Sequence, residues 1–304
     1  MRRLRHLSGH LVTEEAPVPV PGPGELLVRT EAIGVTLPVV RKLREGGAPE
    51  SLGGEVAGTV EAVGPDVTAY APGHRVTGLC FGDAYAEYTL LNTAMASVIP
   101  DGADAVDAVA LVRGGLVALG ALEAARPRPG ESALITAAAG GAGHLAVQLA
   151  RTRGASRVVA AVGDPDAKGD FLRTLGADEV IGYDDADWGR PVDYALDAVG
   201  GDVLLPAVRA LGDGGRLIAY SSGGGMISAY DLLVGARTVS GFQIGRIARE
   251  QPDTYTAWRA ELWHLFATRA VRPVIAAALP LASAADAHAL IETRANQGKV
   301  VLVP

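Results

Sequence analysis

Cysteine is almost absent from this chain, since Cys80 is the only one in 304 residues. One cysteine excludes an intramolecular disulfide and a zinc site built from several cysteines, so we expect a reducing, cytoplasmic setting. Lysine is scarce too: Lys42, Lys168 and Lys299 are the only lysines among 27 basic residues. The net charge of −7 gives no reason to expect nucleic acid or an anionic membrane as a partner.

Long apolar runs are missing as well. The first residues, MRRLRHLSGHL, are basic but lack the roughly 7 to 15 apolar residues of a signal sequence. We identify no apolar run that approaches the ~20 residues needed to span a bilayer. With 49% apolar and 20% charged residues, the composition is that of a globular protein with a full core. The length indicates two domains or one large one.

The most informative stretch is residues 131–162, which read ESALITAAAGGAGHLAVQLARTRGASRVVAAV. Two short apolar runs, residues 132–136 and 157–162, flank a turn of small residues and a segment of helical periodicity at residues 142–153. This order predicts a strand, a tight turn, a helix and a second strand.

The turn AAGGAG, at residues 138–143, fits the dinucleotide fingerprint G-x-G-x-x-G with alanine in the first position. Gly140 would let the backbone approach a pyrophosphate, Gly143 would let helix and strand pack closely, and the helix N-terminus would offer N–H groups to the anion. Gly140, Gly141, Ala142 and Gly143 are therefore candidate cofactor-binding residues. The alternative is a turn that only packs a helix on a sheet.

The first hundred residues predict an antiparallel, barrel-like domain, because short strands alternate with turn signals. An irregular segment over residues 1–24, rich in proline near its end, precedes the first strand. The strands are expected at residues 25–33, 54–64, 74–79 and 85–91. Residues 41–51 are expected to form a loop or short helix. Residues 104–125 are expected to form a buried helix pair that Gly114-Gly115 interrupts and that joins two domains.

From residue 131 onward, strand and helix patterns alternate, which is typical of a doubly wound parallel sheet with its ligand at the carboxyl ends of the strands. Strands are predicted at residues 132–136, 157–162, 179–181, 192–197, 215–220 and 238–242. Helices are predicted at residues 142–153, 166–175, 203–211, 227–235 and 254–268. The remaining tail, with an apolar stretch at 274–281, a helix ending near Asn296 and a strand at 299–303, is too short for a domain. We therefore predict one domain of residues 1–112 completed by 269–304, and a second of residues 113–268.

Eight collinear segments carry a resemblance over nearly the whole chain. They are PGPGELLVR (21–29), GEVAGTVEAVG (54–64), GHRV (73–76), YAEY (85–88), AAGGAGHLAVQLA (138–150), LGADEVIGY (175–183), DAVGG (197–201) and GKVVLVP (298–304). In this order they resemble the medium-chain dehydrogenase/reductase superfamily, in its zinc-free quinone oxidoreductase and enoyl reductase branch.

The resemblance implies an α/β protein with a chaperonin-10-like antiparallel barrel, a Rossmann domain, and an active site in the cleft between them. It also implies a homodimer that pairs edge strands near residues 238–242. Zinc-dependent members place a cysteine and a histidine where this chain has Thr36 and Leu37, and another histidine where it has Gly54. None of these three is a zinc ligand, so no metal is expected.

Two neighbouring residues bear on the nicotinamide cofactor. An acidic residue at the end of the second strand usually binds the ribose of NAD, and Asp164 lies just beyond that end. Family members that use NADPH instead keep a small residue there and a lysine further on, as Gly163 and Lys168 do. We therefore expect NADPH, with NADH as the alternative. For Lys168 the alternative is a solvated residue in the first turn of a helix.

The expected chemistry is hydride transfer to a carbon–carbon double bond conjugated to a carbonyl, or to a quinone. Relatives carry several polar groups near the nicotinamide, whereas here Thr36 is the one small polar residue left in place. An arginine could hold the substrate carbonyl, and Arg113 is the strongest candidate because it interrupts an apolar stretch; Arg41 and Arg246 are alternatives. Thr36 and Arg113 are thus catalytic candidates.

Tyrosines could supply the proton, and Tyr85 is the third catalytic candidate, with Tyr220 as a second possible donor. Further nucleotide contacts are carried over from the family by position. They are Tyr183, Ala198, Val199, Ser221, Phe242, Ile244, Asn296 and Lys299. The sequence thus predicts an NADPH-dependent, zinc-independent reductase of quinones or α,β-unsaturated carbonyls. A fold recruited for a cyclisation or isomerisation, and a nucleotide-binding protein without catalysis, remain alternatives.

Overall fold

The computed structural model describes residues 1–7, 9–44, 52–220 and 223–304. These residues form two compact units. The first comprises residues 1–113 and 273–304, and the second comprises residues 114–272. Each unit has its own main sheet and its own apolar core.

The first unit begins with an antiparallel hairpin of β1 (Arg2–Leu7) and β2 (His10–Glu15). The expectation of an irregular segment over residues 1–24 is therefore wrong for its first part. The hairpin offers little apolar alternation, and ion pairs stabilise it instead; the guanidinium of Arg3 lies 2.7 Å from the carboxylate of Glu14. Hydrophobic periodicity does not predict the strands of such a charged hairpin, because they lack apolar alternation.

The predicted strands of the first unit are confirmed, although the last begins at Tyr88 instead of Tyr85. The elements are β3 (Glu25–Gly34), α1 (Leu37–Arg44), β4 (Gly54–Val63), β5 (Arg75–Cys80), β6 (Tyr88–Asn92) and β7 (Ser97–Val98). β3 pairs antiparallel with both β4 and β6. Of the segment expected to be a loop or short helix, α1 covers the first residues, and residues 45–51 lie outside the described residues.

One continuous helix, α2 (Ala105–Ala125), replaces the predicted helix pair. Gly114 and Gly115 lie inside this helix, and neighbouring atoms occupy the space that a side chain would need there. A Cβ at Gly114 would lie 2.9 Å from the carbonyl oxygen of Gly141, and one at Gly115 would lie 3.0 Å from Leu262. α2 is long and apolar enough to cross a membrane by composition alone, but 72% of that window is buried inside the protein.

The second unit is a doubly wound α/β layer structure, as predicted. After α2 its elements are β8 (Ser132–Thr136), α3 (Gly143–Thr152), β9 (Arg157–Val162), α4 (Pro165–Thr174), β10 (Glu179–Gly182), β11 (Val192–Asp197), α5 (Leu204–Arg209), β12 (Leu211–Ala219), α6 (Ala229–Leu233), β13 (Thr238–Gly241), α7 (Ile244–Glu250) and α8 (Pro252–Ala267). All pairs in the sheet are parallel, in the order β10-β9-β8-β11-β12-β13. The strand order reverses between β8 and β11, so the switch point lies there.

Two elements of the second unit differ from the sequence-based expectation. β12 begins at Leu211 with an irregular register against β11, whereas the sequence placed its start at residue 215. The start of this strand is rich in glycine and shows no apolar alternation, so the sequence did not indicate a strand there. Helix α7 was not predicted, because its seven residues are too few to show a clear apolar period.

The tail returns to the first unit with β14 (Ile275–Pro280), α9 (Ala284–Glu292) and β15 (Lys299–Val303). The sheet there runs β14-β15-β3-β4-β5-β7, with β6 also on β3. β15 pairs antiparallel with β3, and β14 pairs parallel with β15. The final strand therefore completes a sheet that the first hundred residues begin.

Candidate functional site

The turn between β8 and α3 is built around one carbonyl oxygen, that of Ala137. Ala137 adopts a positive φ of 49°, and its oxygen accepts the N–H of Gly140 at 2.9 Å. A Cβ at Gly143 would lie 2.1 Å from the same oxygen, so only glycine fits there. The helix that follows has Ala142 at its N-cap and no side-chain cap. Its N-terminal N–H groups therefore face a site that suits an anion.

His144 stabilises this turn from the helix side. Its ring Nδ1 lies 2.9 Å from the carbonyl oxygen of Gly140, and its side chain is fully buried. His144 therefore packs against the start of the helix and is not an exposed base.

Asp197 organises the neighbouring edge of the sheet and was missed as a site residue. It is fully buried at the end of β11, and it accepts the Thr136 hydroxyl at 2.7 Å. Its carboxylate also accepts the N–H groups of Val199 and Gly200, each at 3.0 Å. The N–H of Ala198 donates to the Thr136 hydroxyl at 2.9 Å. Ala198 and Val199 are thus held in a fixed turn beside the switch point.

The signal for Asp197 was present in the sequence. It is the last residue of a buried strand and opens the DAVGG segment, and a carboxylate in that position needs several donors. The donor from the adjacent strand, Thr136, is 61 residues away in sequence, so spacing alone could not reveal the pairing.

The Asp164 carboxylate is hydrogen-bonded to the backbone. It is the N-cap of α4, and its carboxylate accepts the N–H of Ala167 at 2.9 Å. Lys168, in the first turns of the same helix, has only 9% of its surface exposed. The alternative of a fully solvated lysine therefore does not hold.

Tyr183 links two strand ends at the same edge. Its hydroxyl accepts the N–H of Ala137 at 3.0 Å, which joins the residue after β10 to the residue after β8. A Cβ at Gly163 would stand 3.9 Å from the Tyr183 ring, so Gly163 lies beside that ring. Within the second unit, the structure brings the glycine turn, Gly163, Tyr183, Ala198 and Val199 to the carboxyl ends of the strands.

Phe242 and Ile244 sit further along the chain, and their side chains pack inside the second unit. A Cβ at Gly120 would lie 2.3 Å from the Phe242 ring, which also contacts Trp258 with ring centroids 6.4 Å apart. Ile244 is buried at the start of α7. Any contact of Phe242 with a nucleotide would therefore come from its backbone or ring edge. The predicted contact Ser221 lies outside the described residues.

Two predicted nucleotide contacts lie in the first unit, and both have intramolecular partners. The Asn296 amide donates to the carbonyl oxygen of Gly298 at 2.9 Å. The Lys299 ammonium forms a buried ion pair with Glu55. Gly34 borders this pair, because a Cβ there would lie 2.7 Å from both side chains. The structure does not bring these residues together with the glycine turn in one unit.

Tyr85 lies in the core of the first unit. It is fully buried, and its hydroxyl is 3.1 Å from Nε2 of His288. Burial, together with the charge of Glu55, raises the pKa of Tyr85 above its ordinary value. Burial and the nearby His6 lower the pKa of His288 to about 4, so the imidazole that is hydrogen-bonded to the Tyr85 hydroxyl is neutral. This position suits packing and not proton donation to a substrate.

The other catalytic candidates are distinguished by their partners. Thr36 precedes α1, and its carbonyl oxygen accepts the N–H groups of Val39 and Val40 at 3.2 Å. Arg246 pairs with Glu250 on an exposed helix, which is the ordinary state of a surface arginine. The Nε of Arg113 is buried and has no hydrogen-bond partner in the described part of the chain. Among Arg41, Arg113 and Arg246, Arg113 is therefore the best candidate for a hydrogen bond to a ligand.

Two family models match this chain. The alcohol dehydrogenase GroES-like domain covers residues 22–103, and the zinc-binding dehydrogenase model covers residues 175–302. The first confirms the chaperonin-10-like fold expected for the N-terminal half. Despite the second description, the described residues hold no group of three or more His, Cys, Asp or Glu that could bind a metal.

Relatives of similar length extend the match. A quinone oxidoreductase of Pseudomonas aeruginosa is 32% identical over 93% of this chain and 92% of its own length. A 2-haloacrylate reductase of Burkholderia sp. is 29% identical over 97% and 95% of the two chains. A mycobacterial protein solved in complex with NADPH superposes with a TM-score of 0.92 and 29% identity over the full length of both chains. The chain belongs to the medium-chain dehydrogenase/reductase superfamily, in the branch of the quinone oxidoreductases.

Proposed function

We propose that this protein is an NADPH-dependent reductase of quinones or α,β-unsaturated carbonyl compounds. The observation that carries the proposal is the glycine turn at the switch point of the parallel sheet. There the backbone is open to a pyrophosphate and the helix behind it has no side-chain cap. The relatives support it, since one is named for quinone reduction, another for 2-haloacrylate reduction, and a third was solved with NADPH.

The residues around β9 fit the 2′-phosphate of NADPH better than the free ribose hydroxyl of NADH. Gly163 leaves room at the strand end, and Asp164, the acidic residue that directly follows it, already accepts a helix N–H. A capping carboxylate is less available to a ribose hydroxyl. Lys168 supplies a positive charge in the same helix, and a charge-assisted hydrogen bond contributes about 1.5 to 3 kcal/mol. The cofactor is therefore NADPH in preference to NADH.

In the reaction, bound NADPH supplies the hydride, and the protein supplies position and electrostatics. The glycine turn, Ala198 and Val199 would hold the nucleotide through backbone groups. Thr36 and Arg113 are the side chains proposed to orient the substrate carbonyl and stabilise the enolate oxygen. Since the Tyr85 phenol is committed to His288, the proton for the α-carbon comes from solvent.

A second chemistry-related proposal is that the enzyme works without zinc. The chain carries Thr36, Leu37 and Gly54 where zinc-dependent relatives have ligands, and its single cysteine is buried. Dialysis against a strong chelator should leave turnover unchanged, and metal analysis of the active protein should find no stoichiometric zinc. Loss of activity on chelation, restored by zinc, would contradict the proposal.

We also propose a homodimer through the open edge of the parallel sheet. β13 ends that sheet and is largely exposed, and its main-chain groups can pair with another strand. Three apolar side chains of the preceding segment are exposed beside it: Tyr230 by 70%, Leu233 by 75% and Val234 by 65%. Light scattering after size exclusion should give twice the chain mass, and Leu233→Glu should shift it to the monomer. A monomeric wild-type protein would refute the dimer.

The single buried cysteine and the core position of α2 fit a protein of the cytoplasm that works on small molecules. Nothing in the charge or composition indicates a nucleic acid or membrane partner.

The decisive experiment is a fluorescence titration with NADPH and NADH, followed by an absorbance assay at the nicotinamide band against a panel of quinones and enones. We expect tighter binding of NADPH and oxidation of NADPH with at least one acceptor. Binding without oxidation across the panel would favour a nucleotide-binding protein or a fold recruited for non-redox work. No binding of either cofactor would refute the function and the role of the glycine turn.

A further inference from the structure

Tyr220 carries a buried hydroxyl at the carboxyl end of β12. Its oxygen has no hydrogen-bond partner among residues 1–7, 9–44, 52–220 and 223–304. Its backbone is fixed, because its N–H donates to the carbonyl oxygen of Asp197 at 3.0 Å. A buried hydroxyl without a partner destabilises a fold, so one that persists at a ligand-binding edge is a candidate for contact with the ligand.

The phenol of Tyr220 is a hydrogen-bond donor under all ordinary conditions. Burial raises its pKa above the usual range, and the neighbouring Asp197 and Tyr183 raise it further. The nearest carboxylate, that of Asp197, is already occupied by Thr136 and by two backbone N–H groups. The hydroxyl therefore suits an acceptor oxygen that arrives with a ligand.

The sheet order identifies which part of a dinucleotide would meet Tyr220. A dinucleotide crosses such a sheet at the switch point, with one nucleoside over each half. Gly163 and Lys168 follow β9, so the half made of β8, β9 and β10 takes the adenosine with its phosphate. β11, β12 and β13 form the other half, and Tyr220 follows β12. That half takes the nicotinamide nucleoside.

We propose that the Tyr220 hydroxyl donates a hydrogen bond to a ribose or carboxamide oxygen of the nicotinamide nucleoside. Tyr220 would thereby position the ring that carries the hydride. This inference rests on the proposed function, because it takes the nicotinamide cofactor as the ligand.

Tyr194 provides a matched control. It lies in the neighbouring strand β11, is fully buried, and also has a hydroxyl without a partner in the described residues. It is the third residue of its strand, and its ring lies 5.6 Å below the Arg216 guanidinium. Arg216 pairs with Glu131, which directly precedes β8, so Tyr194 belongs to the amino-terminal half of the sheet. It is remote from the edge where a ligand binds.

The experiment compares wild type, Tyr220→Phe and Tyr194→Phe by calorimetric titration with NADPH, NADH and adenosine 2′,5′-bisphosphate. The bisphosphate contains the adenosine half of NADPH and lacks the nicotinamide nucleoside. We expect Tyr220→Phe to weaken NADPH and NADH alike by about three- to tenfold, the worth of one neutral hydrogen bond. Its affinity for the bisphosphate should stay at the wild-type value. Tyr194→Phe should bind all three probes as the wild type does.

A thermal melt of the ligand-free proteins completes the test. Because each variant removes an unpaired buried hydroxyl, neither should melt below the wild type. A lower melting temperature for Tyr220→Phe would show that the protein itself satisfies the hydroxyl, and would overturn the proposal. Unchanged NADPH affinity, or equal losses for NADPH and the bisphosphate, would overturn it too. A wild-type protein that binds none of the probes would instead refute the proposed function.

Discussion

The two units treat their buried polar groups in opposite ways. In the first unit, side chains satisfy one another deep in the core, as Glu55 does with Lys299 and Tyr85 with His288. In the second unit, the buried Asp197 accepts backbone N–H groups at the end of a strand. The exposed Asp164 accepts one at the start of a helix. The paired side chains of the first unit are not available to a ligand. The carboxylates of the second unit fix backbone turns that a ligand can contact. A buried polar side chain therefore indicates a binding site only where its hydrogen bonds fix a backbone turn that a ligand can contact.

The largest effect is expected where the backbone turn tolerates no side chain. Gly143→Ala would set a Cβ 2.1 Å from the carbonyl oxygen of Ala137, and backbone at that position cannot yield cheaply. We expect a loss of at least about 5 kcal/mol of unfolding free energy, measured by urea denaturation, together with loss of NADPH binding.

Gly140→Ala is the control for this change. A Cβ there would lie 3.2 Å from the same oxygen, a contact that a small shift relieves. It should therefore destabilise the protein much less. Equal stability of the two variants would show that the turn does not have the geometry described.

The next effect tests the closed polar pair of the first unit. Lys299→Met leaves the Glu55 carboxylate buried without its partner, and breaking a buried pair in this way costs about 3 to 5 kcal/mol. Urea denaturation should show this loss. The double variant Lys299→Met with Glu55→Leu removes both charges and should recover most of the stability. If the single variant were as stable as the wild type, Lys299 would be free for the nucleotide contact expected from the family.

His288 gives a pH-dependent version of the same test. Its pKa is lowered from 6.5 to about 4 in the folded protein, so the unfolded chain binds the extra proton first. Stability is therefore fully present above pH 6.5 and is lost as the pH falls towards 4, by roughly 3 kcal/mol at most. His288→Gln should flatten this part of the stability curve. A wild-type protein equally stable at pH 4.5 and pH 7 would contradict the buried neutral imidazole.

The Glu55–Lys299 and Tyr85–His288 pairs also show which features could not be predicted from the sequence. Alternating strands and helices, and the AAGGAG turn, predicted the parallel sheet and its binding edge because both depend on local pattern. The Glu55–Lys299 pair joins residues 244 positions apart, and Tyr85–His288 joins residues 203 apart, so no local period could suggest them. Family resemblance placed Lys299 at the nucleotide, and the chemistry of the phenol made Tyr85 a candidate proton donor. The structure gives each of them an internal partner. The charged hairpin β1–β2 was missed for the related reason that ion pairs leave no apolar period.

The smallest expected effect distinguishes the two nicotinamide cofactors at the edge of the second unit. Lys168→Ala should weaken NADPH binding about tenfold, which corresponds to about 1.4 kcal/mol, and should leave NADH binding almost unchanged. The reason is that only NADPH carries the 2′-phosphate that the ammonium would contact. Asp164→Asn is the matched control, because asparagine still caps α4 while the negative charge is removed. If the Asp164 carboxylate serves only the helix, this variant keeps the wild-type preference. Equal losses of NADPH and NADH in Lys168→Ala would remove Lys168 from the phosphate site, and a marked gain of NADPH over NADH in Asp164→Asn would show that the carboxylate itself opposes the phosphate.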